Sequence, residues 1–211
     1  MSHRLPLILA AGLLALASTA AHAAGNPSAG EQKAGVCGGC HGADGNSVNP
    51  IWPDLAGQHE SYLHQQLQLF KSGERANAIM AGQVANLSGQ DMQDLAAYYA
   101  RQELKLGEAD PKLVDQGQQI YMGGDPANNL PACAACHGPA GAGNPAAVYP
   151  RLGGQNAQYV AAQLKAYRSG ERAGYPAAQV MAQIAERLSD AEIKAVSSYV
   201  HGLSAAPAGA N

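Results

Sequence analysis

The sequence predicts an all-α chain built from two tandem copies of one small domain. Three observations predict it. Apolar residues recur at helical spacing, as in Leu63, Leu67 and Phe70 and again in Val160, Leu164 and Tyr167, and no alternating pattern suggests strands. Polar and turn-forming segments return at a fixed offset. The stretch Cys37-Gly38-Gly39-Cys40-His41 returns as Cys133-Ala134-Ala135-Cys136-His137, which uses all four cysteines of the chain.

The offset is 97 residues over most of the repeat. Trp52-Pro53-Asp54-Leu55-Ala56-Gly57-Gln58 matches Tyr149-Pro150-Arg151-Leu152-Gly153-Gly154-Gln155, and Phe70-Lys71-Ser72-Gly73-Glu74-Arg75 matches Tyr167-Arg168-Ser169-Gly170-Glu171-Arg172. Met80 and Leu87-Ser88 match Met181 and Leu188-Ser189 at an offset of 101, so the second half carries four extra residues around Gly174-Tyr175-Pro176. Two domains of about 85–100 residues follow, each of ordinary size. We expect boundaries at 24–106 and 107–211, with Leu106 to Pro111 as the linker.

Taken in order, residues 1–23 read as a secretory signal. Arg4 supplies the positive start, Leu5 to Ala17 an apolar run, and Ala21-His22-Ala23 a cleavage site. That run is too short for a membrane-spanning helix, which needs about 20 apolar residues. Asn26-Pro27 and Asp110-Pro111 look like N-cap and first-turn pairs opening the helix that leads to each cysteine motif. Ser88 with Asp91, and Ser189 with Glu192, cap the last helix of each half, the second as a capping box. Behind them Leu95, Tyr98 and Tyr99, and Ile193, Val196 and Val200, form apolar stripes. The Ala/Gly/Pro-rich tail from Ser204 is expected to fray.

The spacing C-x-x-C-H carries chemistry. Two thiols three residues apart can add to two vinyl groups on one edge of a haem, and the next histidine is then held beneath the iron. A disulfide would not require a histidine twice at the same place. Zinc would want the two pairs together around one tetrahedral site, yet each lies in its own repeat. A thioredoxin-like dithiol needs a βαβ setting. The sequence therefore predicts two covalently bound haem c groups, attached at Cys37, Cys40, Cys133 and Cys136, with His41 and His137 as axial ligands. One Phe and one Trp make a thin aromatic core, and haem supplies apolar mass that small domains otherwise lack.

The sixth ligand should follow the motif on a loop that reaches the far face. Met80 and Met181 are the methionines at matching repeat positions, 39 and 44 residues after their histidines. Met92 and Met122 read as packing, and His59, His64 and His201 have no histidine counterparts in the other half. A thioether opposite histidine fills the iron's coordination and raises its potential, which suits electron transfer rather than substrate chemistry. Pro53 and Pro150 follow the histidines by 12 and 13 residues, and a carbonyl there could hold the imidazole N–H. The repeated basic residues Lys71, Arg75, Arg168 and Arg172 sit at a helix end and the turn after it. They read either as solvated charge or as partners for haem propionates.

Together the two C-x-x-C-H motifs, the [W/Y]-P-x-L-[A/G]-G-Q segments, the [K/R]-S-G-E-R segments and the Met…Leu-Ser motifs resemble the cytochrome c4 family across nearly all of the chain after Ala23. The resemblance implies two class I cytochrome c domains related by a pseudo-two-fold axis, with propionate edges facing each other. It also implies a periplasmic electron carrier, not an enzyme. Its redox partners would be a cytochrome bc complex as donor and a haem–copper terminal oxidase as acceptor, with at most peripheral membrane association. The alternative it leaves is the di-haem subunit of a complex such as flavocytochrome c sulfide dehydrogenase. The charge excludes one class outright: removing residues 1–23 leaves 12 basic against 16 acidic side chains, with no basic stripe for nucleic acid.

Overall fold

A computed structural model describes residues 24–204. The expected signal segment, and the expected fraying from residue 205 onward, lie outside the described residues. The first half contains α1 (Pro27–Lys33), α2 (Gly35–His41), α3 (Glu60–Ser72), α4 (Ala78–Val84) and α5 (Gly89–Ala100). The second contains α6 (Val114–Gly123), a 3-10 turn (Pro126–Asn128), α7 (Ala134–His137), α8 (Ala157–Arg168), α9 (Pro176–Ala185) and α10 (Asp190–Gly202). Among the described residues the β structure is limited to two isolated bridges, Asp125 with Leu130 and Asn144 with Tyr149.

Side-chain caps close the N-termini of α1, α4, α5 and α10. Asn26 accepts from the backbone N–H of Ser28 (3.0 Å) and Ala29 (3.3 Å), with Pro27 in the first turn. Ser88 with Asp91 and Ser189 with Glu192 both form complete capping boxes. The pair Asp110-Pro111 behaves differently. Its N–H donates to Ser198 Oγ (2.9 Å) and its carboxylate caps Lys112 N (2.9 Å), so Asp110 pins a turn, and α6 begins only at Val114.

In each half the first helix crosses the last at a glycine. A Cβ on Gly30 would lie 2.0 Å from the Asp94 carbonyl oxygen, and one on Gly117 2.5 Å from that of Ala195. Only a residue without a side chain lets the backbones meet so closely. Around these crossings lie two cores. Ala34, Leu63, Leu95, Ala96 and Tyr99 form the first, and Ile120, Tyr121, Leu130, Leu188, Ile193, Val196 and Val200 the second.

A third cluster joins the halves. Leu69 of α3 packs with Tyr167, Tyr175, Ala178 and Ala185 of the second half. The four extra residues are used here: Tyr175 is buried immediately before α9, which runs 10 residues against 7 for α4. Met92 is buried as expected. Met122 is not: it is 45% exposed, because α6 turns Gly117, Ile120 and Tyr121 inward and leaves the next position facing out. No described helix is long and apolar enough to cross a membrane.

Candidate functional site

Cys37, Cys40 and His41 share α2, and the three-residue spacing puts both sulfurs on one face of it. Cys37 is half-buried against the first core and Cys40 is exposed. In the second half Cys133 is the N-cap of α7, which holds Cys136 and His137. All four thiols are free. Burial pushes the Cys37 thiol up and takes Cys133 to about 11.

Both histidines end their helices and are 7% exposed. His41 Nδ1 lies 2.9 Å from the Pro53 carbonyl oxygen and His137 Nδ1 lies 3.1 Å from that of Pro150. A carbonyl only accepts, so Nδ1 carries the proton and Nε2 keeps its lone pair. Burial pushes both imidazole pKa values down, outweighing the opposing effect of the proline carbonyl. Each ring is therefore a neutral donor with one nitrogen available to iron.

The two W/Y-P segments meet crosswise. Gln155 Oε1 accepts from Asp54 N (2.9 Å) while its Nε2 donates to Asp54 O (2.9 Å). Gln58 does the same across the interface, accepting from Arg151 N (2.9 Å) and donating to Arg151 O (2.8 Å). Both glutamines are buried. Further bonds join the halves without a counterpart, among them Asn156 Nδ2 to Trp52 O (3.0 Å) and Ser61 Oγ to Pro145 O (2.9 Å).

Beside this clasp lies a paired arginine network. Arg75 donates to Gln66 of its own half (2.7 Å) and to Tyr159 Oη (2.9 Å) and Gln163 (3.0 Å) of the other. Arg172 donates to its own Gln163 (2.7 Å) and to Tyr62 Oη (2.9 Å) and Gln66 (3.2 Å) across the interface. Each guanidinium also lies over a ring, Arg75 Cζ 4.5 Å from the Phe70 centroid and Arg172 Cζ 4.6 Å from that of Tyr167. The solvated-turn reading therefore fails for these two, which are 8% and 5% exposed. It fails because the second half covers the turn of the first, and the reverse.

Lys71 and Arg168 have another use. Lys71 Nζ donates to the Leu87 carbonyl and Arg168 Nη1 to that of Leu188 (2.9 Å), tying α3 and α8 to the caps of α5 and α10.

Among the described residues no carboxylate pairs with Arg75 or Arg172, and Arg172 Nε is buried without a partner. Two buried cations without counter-charge are costly, at several kcal/mol each. An anionic group at the interface would meet that need, and haem propionates are such a group. Together with the fixed imidazoles and free thiols, the residues fit two haems. Met80 and Met181 are half-buried and lie on α4 and α9, not on loops as expected. Asn77 caps α4 through Met80 N (2.9 Å), and Met181 packs against the third cluster.

Sequence reasoning overlooked Tyr62, Gln66, Tyr159 and Gln163 and gave Gln58 and Gln155 no role. The signal was present, since each pair stands 97 residues apart.

The family model for cytochrome c matches residues 28–101 and 114–204. The chain is 49% identical to cytochrome c4 of Pseudomonas aeruginosa, over 93% of this chain and 96% of that one. It is 37% identical to the thiosulfate dehydrogenase electron acceptor of Thiomonas intermedia, over 90% and 86%. A crystal structure of reduced recombinant cytochrome c4 from Pseudomonas stutzeri superposes with a TM-score of 0.82 at 44% identity, covering 85% of this chain and all of that one.

Proposed function

Because the chain belongs to the cytochrome c family, as a di-haem electron carrier of the cytochrome c4 kind with two covalently bound haem c groups, we propose the following assignment of its sites. Cys37 and Cys40 attach one haem and Cys133 and Cys136 the other, in domains spanning 24–106 and 107–211. His41 and Met80 would hold the first iron, and His137 and Met181 the second. The observation that carries this reading is the pair of buried imidazoles, each with Nδ1–H committed to a proline carbonyl and Nε2 left as its only lone pair.

Haem c supplies a one-electron iron couple when bound. The chain's residues do the rest. The proline carbonyls fix the tautomer of each histidine and strengthen it as a donor. The Met80 and Met181 thioethers would complete the ligand set of each iron, and a thioether ligand favours the ferrous state. Arg75 and Arg172 supply positive charge to the propionates, joined by the hydroxyls of Tyr62 and Tyr159, each of which accepts an arginine N–H and keeps its own proton to donate. With a histidine and a methionine both committed to holding each iron, the chain would offer no site for substrate there, and we read it as a carrier and not an enzyme.

The carrier works in the periplasm, exported by a signal cleaved after Ala23. It receives electrons from a cytochrome bc complex and passes them to a haem–copper terminal oxidase. The relative named as a thiosulfate dehydrogenase electron acceptor favours a second donor class, a thiosulfate-oxidising enzyme. The test is direct. Mass spectrometry of the denatured mature protein should show two retained haems and a chain beginning at Ala24. Met80→Ala and Met181→Ala should each weaken the long-wavelength methionine–iron band by about half and open one iron to carbon monoxide. An undiminished band in either variant would overturn the ligand assignment.

A further inference from the structure

The crosswise clasp does more than hold the halves together, because it grips the peptide groups that orient the histidines. The Pro53–Asp54 peptide accepts the His41 Nδ1–H at its carbonyl (2.9 Å), and its own N–H donates to Gln155 Oε1 (2.9 Å). The Pro150–Arg151 peptide accepts the His137 Nδ1–H (3.1 Å), and its N–H donates to Gln58 Oε1 (2.9 Å). One planar amide thus links an axial histidine of one half to a buried glutamine of the other, twice.

We propose that Gln58 and Gln155 are positioning residues that set the reduction potential of the haem in the opposite half. The inference rests on His41 and His137 being the axial ligands. An amide whose N–H donates becomes a better acceptor at its carbonyl, because bonds in a chain polarise one another. The stronger acceptor draws the Nδ1 proton and makes Nε2 a better donor to iron. Greater donation favours the ferric state and lowers the potential.

The geometry is well held. The second bond of each clasp, from glutamine Nε2 to the next carbonyl, stops the peptide plane from rotating (2.9 Å at Asp54 O, 2.8 Å at Arg151 O). The amide orientation is fixed as well. Gln155 Oε1 also accepts from Asn156 N (2.9 Å) and Gln58 Oε1 from His59 N (3.0 Å), so a flipped amide would set donor against donor. At 7% and 8% exposure, water cannot readily replace either side chain.

The effect should be crossed. In the holoprotein, Gln155→Leu should raise the potential of the first haem and leave the second unchanged, and Gln58→Leu should do the reverse. Each haem's midpoint would be read from its haem-methyl NMR signals during a redox titration. A merely loosened interface would admit water, which favours the more charged ferric state, and would shift potentials downward. Gln155→Glu keeps the acceptor at Asp54 N and should show no rise in the first haem. Ser61→Ala removes an interdomain bond that touches neither peptide (2.9 Å to Pro145 O) and should leave both potentials at wild-type values.

If mass spectrometry finds fewer than two haems retained in the mature protein, the reading of His41 and His137 as iron ligands falls and this inference with it. If the ligand reading stands and Gln155→Leu moves the wrong haem, neither haem, or the right haem downward, only the inference is overturned. Gln58→Leu decides independently should the Gln155 variant fail to assemble.

Discussion

Asp94→Ala should destabilise the first half far more than an ordinary helix substitution. Asp94 is buried in α5 and accepts three bonds: Asn26 N at 2.9 Å, Lys33 Nζ at 2.8 Å and Gln90 Nε2 at 2.8 Å. Two of the three come from α1 and its cap, so this carboxylate locks the crossing at Gly30. Lys33 is partly exposed and keeps its bond to Asp91 (2.8 Å), so the loss comes chiefly from the Asn26 N–H and the Gln90 amide left without their acceptor, about 1–3 kcal/mol. For a domain of this size that is a fall of about 4–24 °C in melting temperature.

Calorimetry of the holoprotein would measure it, with Asp94→Asn expected to fall between. The pH dependence follows from the Lys33 bond, which with the Asn26 and Gln90 bonds holds the Asp94 carboxyl below the usual carboxylate range. A depressed folded-state value means the stabilisation is full above the unfolded value of about 3.9 and is lost as pH falls through the folded one. The gap between wild type and Asp94→Ala should therefore close below about pH 4. A melting temperature within two or so degrees of wild type at neutral pH, or a gap that widens on acidification, would refute the reasoning.

Arg75→Gln and Arg172→Gln should each lower at least one haem potential, because a nearby positive charge favours the reduced, less positive haem; redox titrations that overlay wild type would remove the propionate role. Gly30→Ala should fail to assemble the first half, since its Cβ would sit 2.0 Å from the Asp94 carbonyl oxygen, whereas Gly39→Ala meets nothing within 4 Å and should melt as wild type does. Thermal unfolding of the two variants side by side checks both.

What could be read from the sequence was local or repeated. The C-x-x-C-H turns and the capping serines are short-range patterns whose meaning does not depend on where the chain goes next. Arg75 and Arg172 show the limit. A basic residue just past a helix-ending glycine ordinarily faces water, and only docking of the other half, 84 to 110 residues away, buries it. Asp94 was invisible for a related reason. It falls among the inward residues of α5 and has Ala195 as its counterpart, so neither periodicity nor repetition marks it. Asp110-Pro111 had the right residues for a helix start, and Asp110 does cap Lys112 N, but what it opens is a turn that becomes α6 only at Val114.

The interface itself explains why so many polar residues repeat. Arg75 bonds Tyr159 and Gln163 while Arg172 bonds Tyr62 and Gln66, and Gln58 grips residue 151 while Gln155 grips residue 54. Residue i meets the copy of j and j meets the copy of i, which is the contact rule of a two-fold homodimer carried out within one chain. Such an interface treats both halves alike wherever the residues match. Any difference in potential between the two haems must then arise where they do not match. Among them are Asp54 opposite Arg151, the Tyr175 insertion with no counterpart in the first half, and the unreciprocated bonds from Asn156 to Trp52 and from Ser61 to Pro145.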